Sequence, residues 1–215
     1  KWGRVYDILP SAHVQTLPEP VCCHPDMSLL AVGDTYIAEK TVYPYYKNLL
    51  SGKTVISGQT ALGSHYPYDV AYNVLISGKL AFANFQYTDC VVKQELKKQN
   101  FQLINIRQGY ANCSAAKIGD CLITADPSIL AACANCGVEA LEIAPGDVAL
   151  IGYAYGFIGG ASGFVDGKLM FFGDIEKHQN YKKIKQFADK KRIPIDDIKG
   201  LFLTDVGTII GIDGE

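Results

Sequence analysis

The chain carries little charge and no long tract of either sign. Asp, Glu, Lys and Arg make up 20% of its 215 residues, and the formal net charge is −2. Its most basic stretches, Lys182-Lys183 and Lys190-Lys191-Arg192, fall on one predicted helix face, so no nucleic-acid partner is expected. The first twenty residues hold three prolines and several charges, unlike a secretory signal. Seven cysteines, an odd number in a chain of this size, point to reduced thiols in the cytoplasm. Residues 148–165 are uncharged over 18 positions, close to the shortest membrane span, but five glycines and two tyrosines interrupt them. They read as strand, loop and strand, and no membrane partner is expected. Of metal motifs there is a single CxxC, Cys133-Ala134-Asn135-Cys136, with no second CxxC or CxxH to complete a zinc site. Cys22-Cys23-His24 would complete one only if the fold brought the two stretches together. The expectation is structural thiols, no metal and no cofactor. Tyr155-Gly156-Phe157-Ile158-Gly159-Gly160 lacks the helix start and acidic follower of a dinucleotide site, and its glycines read as close strand packing.

What the chain does contain is a repeat. Residues 110–126, YANCSAAKIGDCLITAD, read as two extended segments about a Gly119-Asp120 turn, followed by a helix start at Asp126-Pro127. Aligned on the turn glycine, related copies begin near 24, 69 and 158, and a truncated copy, TDVGTIIGI, begins at 204. The equivalent positions Met27, Tyr72, Cys113, Ala161 and, approximately, Gly207 are separated by 45, 41, 48 and 46 residues. Such a period marks one supersecondary unit repeated.

Each unit reads strand, strand, helix, strand. In the first, the strands fall at 28–32, 35–38 and 54–57, with a helix at 41–50 capped by Thr41. The second has strands starting at 72 and 79 and ending at 101–106, around a helix at 88–99. The third has a strand at 121–124, a helix at 127–136 that opens on proline and is followed by Gly137, and a strand at 140–143. The fourth has a strand at 168–172, a helix at 177–190 and a returning strand at 200–203. Ahead of the repeats, residues 2–8 suggest a strand and 11–17 a short helix. We place residues 1–23 with the blade that the C-terminal strand completes.

A ββαβ unit cannot bury both faces alone, whereas five in a ring can, with first strands lining the axis and helices outside. The expected architecture is therefore α/β: one domain, residues 1–215, built as a five-bladed α/β propeller.

That arrangement resembles the pentein fold of the guanidino-group-modifying enzymes, which include arginine deiminases, agmatine deiminases and dimethylarginine hydrolases. The noncatalytic ribosome anti-association factors share it. The chain is similar, more closely, to an uncharacterised bacterial family assigned to this superfamily. The matching stretches are HPD at 24–26, YPYDVAYN at 66–73, RQGYANCS at 107–114, ITADPSI at 123–129 and YGFIGGASG at 155–163. The resemblance covers nearly everything beyond residue 20. The superfamily's enzymes use a cysteine near the chain end and a histidine in a middle blade. Here the last unit reads Asp205-Val206-Gly207-Thr208, and the third and fourth units hold one histidine, His178, near a helix start. The catalytic pattern does not carry over residue by residue.

In a ring, the residues just before each first strand converge on the axis: His24 and Asp26; Asp69 and Asn73; Asn112, Cys113 and Ser114; Ser162; Asp205 and Thr208. They are candidate ligand-binding groups, or else caps of strand ends. Cys113 is the candidate nucleophile, with His24 or His65 as proton shuttle. Asp26, Asp69 and Asp205, helped by Asn73, Asn112, Ser114 and Ser162, would hold a cationic, guanidino-like ligand. Alternatively, Cys113 is an ordinary buried cysteine. His13 and His178 read as surface or capping residues. Two functions stay open: a thiol-dependent hydrolase or transferase acting on a guanidino or amidino compound, and a noncatalytic binding or scaffold protein.

Overall fold

The structure is a computed structural model, and residues 2–212 are described. Four units of one design follow one another. In the first, β1 (Leu29–Val32) and β2 (Thr35–Ala38) form an antiparallel hairpin, α2 (Tyr43–Leu49) crosses over, and β3 (Thr54–Ser57) returns parallel to β2. The short helix α1 (Pro25–Ser28) leads into β1. The second unit is β4 (Leu75–Ser77), β5 (Leu80–Ala83), α3 (Cys90–Lys98) and β6 (Gln102–Asn105). The third is β7 (Ala115–Ile118), β8 (Cys121–Thr124), α4 (Pro127–Cys136) and β9 (Ala140–Glu142). The fourth is β10 (Ser162–Val165), β11 (Lys168–Phe171), α5 (Tyr181–Lys191) and β12 (Ile195–Asp197). Each unit is a separate three-stranded sheet.

The turn chemistry explains the hairpins. Gly33, Gly78, Gly119 and Gly167 each take a positive φ at the tight turn between first and second strands. In the first three units an acidic side chain anchors the start of the crossover helix. Asp89 accepts from the amides of Val91 and Val92 at the start of α3, and Asp126 from those of Ser128 and Ile129 at the start of α4. In the first unit the acid is Glu39, which takes the amides of Thr41 and Val42. Thr41 is therefore not the cap expected for α2.

Three other expectations fail. Residues 2–8 form no strand. Trp2–Arg4 is a 3-10 turn, and the Trp2 ring packs against Phe172. Residues 11–17 form no helix, because their polar groups bond outward: the Ala12 amide donates to the Tyr46 hydroxyl and the Thr16 hydroxyl to the Leu62 carbonyl. The fourth returning strand is Ile195–Asp197, earlier than 200–203, because Pro194 bonds β11 through its carbonyl and the chain leaves the sheet after Asp197.

Among the described residues, the fifth repeat forms no sheet. Its one strand-like contact among the described residues is a parallel bridge between Thr204 and Ala149. Beyond it the chain runs along the start of the fourth unit, with the amides of Val206 and Thr208 donating to Gly160 and that of Ile209 to Ser162. No strand pairing joins this segment to residues 10–23 among the described residues, so the blade expected from the two ends is absent.

The buried apolar residues interlock the units. One cluster joins the first two through Ile37, Tyr46, Tyr72 and Leu96, a second joins the third and fourth through Ile118, Ile123, Phe171 and Ile184, and a third runs between the second and third through Leu75, Phe82, Leu122 and Ile129. Every one of these side chains is nearly sealed from solvent, as the hydrophobic effect requires of a core.

Candidate functional site

The turns that precede the first strands carry the candidate residues, and they meet. The Asn73 side-chain amide donates to the Asp26 carbonyl at 3.3 Å. The Asn73 side-chain oxygen accepts from the Asn112 amide at 2.8 Å. The Gly160 amide donates to the Cys113 carbonyl at 3.0 Å, and the Thr208 amide to the Gly160 carbonyl at 2.8 Å. The Asp26 amide donates to the Gly207 carbonyl at 3.1 Å. The four units and the C-terminal segment are thus joined in a closed circuit of hydrogen bonds at one end of the first strands.

Close approach at this circuit is enforced by glycines. A Cβ on Gly160 would lie 2.0 Å from an Asp205 carboxylate oxygen, and one on Gly207 would lie 2.2 Å from the Cβ of His24.

Inside the circuit is a buried acidic cluster. The Cys113 thiol donates to Oδ2 of Asp26 at 2.9 Å and also contacts the Asn73 side-chain amide at 3.1 Å. The Asn112 side-chain amide reaches the same Asp26 oxygen at 3.3 Å. Asp205 accepts from the amides of Phe157 and Gly207 and lies 3.6 Å from Nδ1 of His24. Burial pushes the Asp26 carboxyl up to about 7, with Asp205 adding to the rise and the Cys113, Asn112 and Asn73 bonds opposing it. Burial, together with the charges of Asp26 and Asp205, drives the Cys113 thiol well above its ordinary value. Burial also lowers His24, against the pull of Asp205, so its ring is neutral at pH 7. The thiol therefore rests protonated, facing carboxylates and no cation, which is the reverse of an activated nucleophile's surroundings.

One oxygen of this cluster is left over. Oδ1 of Asp26 is buried and has no hydrogen-bond partner. Asp26 lines a cleft of about 130 Å³ whose walls come from β1, β4, β7, β10 and the C-terminal segment, including Leu29, Ile76, Phe164 and Ile209. Lys117 of β7 lines it too, and burial lowers that ammonium from its ordinary value. Sequence reasoning passed over Lys117. Its signal was a lone lysine on an otherwise apolar first strand.

Other candidates fall elsewhere. His65 is exposed, bonded to the Ser64 hydroxyl and packed on Tyr68, because it sits in the loop before the second unit's turn, and it makes no hydrogen bond to the Cys113 cluster. Asp69 accepts the Tyr110 phenol at 2.7 Å rather than joining Asp26 and Asp205. Tyr110 in turn makes tilted ring contacts with Tyr66 and Phe157. The Ser162 hydroxyl bonds the Gly159 carbonyl, which is the strand-end capping role. Ser114 lines a different cavity, and His178 is buried at 3% exposure rather than on the surface. Cys133 and Cys136 are free thiols, Cys133 buried in the core and pushed up to about 11 by that burial. Among the described residues, the one cluster with metal-ligand spacing is His13, Glu19 and Cys22, within 4.8 Å of one another, and two of the three are exposed. No helix among the described residues is long and apolar enough to cross a membrane.

A family profile matches residues 3–210. The chain belongs to DUF6873, a family of unknown function. No curated protein sequence matches it. Among solved structures, it is similar to DDAH from Pseudomonas aeruginosa, determined as a Cys→Ser mutant in complex with citrulline. The two share 8% identity, with 82% of this chain and 69% of that one covered at a TM-score of 0.50. This DUF6873 chain thus has a pentein-like α/β fold, with four sheets among the described residues where five blades were expected.

Proposed function

We propose that this DUF6873 protein binds a small molecule bearing a guanidinium or amidinium group at the axial cluster, and that binding is its function. The observation that carries this reading is the unpartnered Oδ1 of Asp26, buried at the edge of the axial cleft. A buried polar atom without a partner is costly unless water or a ligand satisfies it. Asp26 and Asp205 lie in one buried cluster beside a neutral imidazole, so a ligand cation relieves their repulsion. A planar amidinium matches carboxylate geometry. The similar DDAH fold was solved with a small molecule, citrulline, which accords with a small-molecule ligand here.

The test is a melting-temperature titration with arginine, agmatine and guanidinoacetate, because a ligand that binds only the native state stabilises it. At least one should raise the melting temperature, Asp26→Asn should abolish the rise, and Cys113→Ser should retain it. No shift with any of them, or an undiminished shift in Asp26→Asn, overturns the reading.

A second reading rests on the 2.9 Å contact between the Cys113 thiol and Asp26. A bound cation beside Cys113 would favour the thiolate, and with its proton released to solvent the sulfur would be placed to attack the amidinium carbon. Release of ammonia or urea by the native chain, lost in Cys113→Ser, would establish turnover in place of binding alone.

A further inference from the structure

A second cavity, of about 260 Å³, lies on the other side of the 155–158 loop, between the third and fourth units. Two residues that line this space, Ser114 and His178, each carry a buried side-chain atom without a hydrogen-bond partner, the Ser114 hydroxyl and Nε2 of His178. Ser114 is 4% exposed and His178 3%. Two such orphans beside one cavity need partners that the surrounding side chains do not supply.

The local bonds define what each atom offers. The Asn180 amide donates to Nδ1 of His178 at 3.0 Å, so that nitrogen is an acceptor and the proton of the neutral ring sits on Nε2. Burial lowers the ring's affinity for a second proton, against the pull of Asp147. The Ser114 hydroxyl can donate or accept. The acids nearby are already used. Asp126 receives the first amides of α4 on one oxygen and the Gln108 side-chain amide on the other, and Asp147 receives the Gln179 amide. They give the space a negative surround that disfavours an anion. Ile143, Val148 and Phe157 form apolar walls, and half-exposed Tyr155 stands at the edge.

We propose that this cavity is a ligand site separate from the axial cluster, for a small neutral molecule with an apolar body and a carboxamide-type head. The head's carbonyl accepts from His178 Nε2, and its N–H donates to the Ser114 hydroxyl. The cavity volume sets the ligand at fragment size.

The experiment is a titration of the full chain with benzamide, toluene and benzoate, read by long-range ¹H–¹⁵N spectra of the four histidine rings. Benzamide is expected to shift the His178 ring signals saturably, with toluene and benzoate weaker. His178→Asn keeps a side-chain atom able to accept from the Asn180 amide and removes Nε2. It should weaken benzamide about tenfold, and Ser114→Ala severalfold. Asp26→Asn should leave benzamide binding unchanged, which separates this site from the axial one. The proposal is overturned by His178 signals unmoved at roughly 10 mM benzamide, by toluene or benzoate binding as well as benzamide, or by unchanged affinity in both His178→Asn and Ser114→Ala.

Discussion

Asp26 is the residue on which the axial site turns. Its carboxyl is raised by burial to about 7, whereas an unfolded chain would titrate it near the ordinary carboxylate value. A raised folded-state value means that the native protein holds the proton more tightly than the unfolded chain. The stabilisation is complete below the unfolded value and is lost as pH rises through about 7, a change on the order of 4 kcal/mol. Wild-type stability should therefore fall between pH 4 and pH 8 relative to Asp26→Asn, in which this titration is gone. Denaturant curves for the two proteins that stay parallel across that range would rule the assignment out. Ligand binding runs the opposite way, because a cation is held by the ionised form, so the melting-temperature rise with a guanidino compound should be larger at pH 8 than at pH 6. Lys117 adds a selectivity at the same scale. It shares the cleft with Asp26, so a ligand with a second positive group, such as agmatine, should bind less tightly than guanidinoacetate, whose other end is a carboxylate. Lys117→Met should reverse that order in an affinity measurement.

At the scale of the element, the first three units are held by acids at the starts of their crossover helices. Asp89 is the strongest case. One oxygen takes the first amides of α3, and the other takes the Gln59 and Thr60 amides and the Thr60 hydroxyl. It ties the loop after β3 to the next unit's helix. Burial alone would raise its carboxyl, but the Thr60 and Gln59 bonds outweigh that and hold it below the usual value. Asp89→Ala should cost about 2–4 kcal/mol at pH 7, as a cap and a buried acceptor are lost together. The deficit should shrink as pH falls through the depressed carboxyl's own titration, because wild type then loses the same bonds. A chemical-denaturation series at pH 7 and pH 3 checks both statements.

The whole molecule depends on closing the circuit. The C-terminal segment occupies the place of a fifth unit with backbone bonds to Ala149, Gly160, Ser162 and Asp26 instead of a sheet. Gly207 is its tightest point, at φ +73° with no room for a Cβ beside His24. Gly207→Ala should cost about 2–4 kcal/mol, from a strained backbone and a displaced neighbour. It should also move the His24 ring signals, since the contact with Asp205 shifts with it. A variant as stable as wild type with unmoved His24 signals would show that the circuit does not bear on stability. Because the three apolar clusters each span neighbouring units, we expect one cooperative thermal transition, which calorimetry can test.

Local chemistry made the units legible. Gly119-Asp120 between apolar runs, Asp126-Pro127 at a helix start and Gly137 after its end are signals within a few residues of one another, and the strand at Cys121–Thr124 and the helix at Pro127–Cys136 lie where those signals place them. The repeat period likewise puts Asp26, Asn73, Asn112, Cys113 and Asp205 at neighbouring places in the repeated unit. Position in a repeat says where a backbone goes, but not which way a side chain turns or what dielectric surrounds it. His65, Asp69 and Ser114 share the right stretches, yet one is exposed, one is bound to Tyr110 and one lines another cavity. The missing fifth sheet is of the same kind. A strand-like sequence at 204–210 becomes a blade only if partners lie beside it, and residues 10–23 are engaged with Tyr46 and Leu62 instead. The raised carboxyl of Asp26, the protonated thiol of Cys113 and the pairing of Ser114 with His178 around one void arise from burial among residues far apart in the chain, which tertiary packing alone decides.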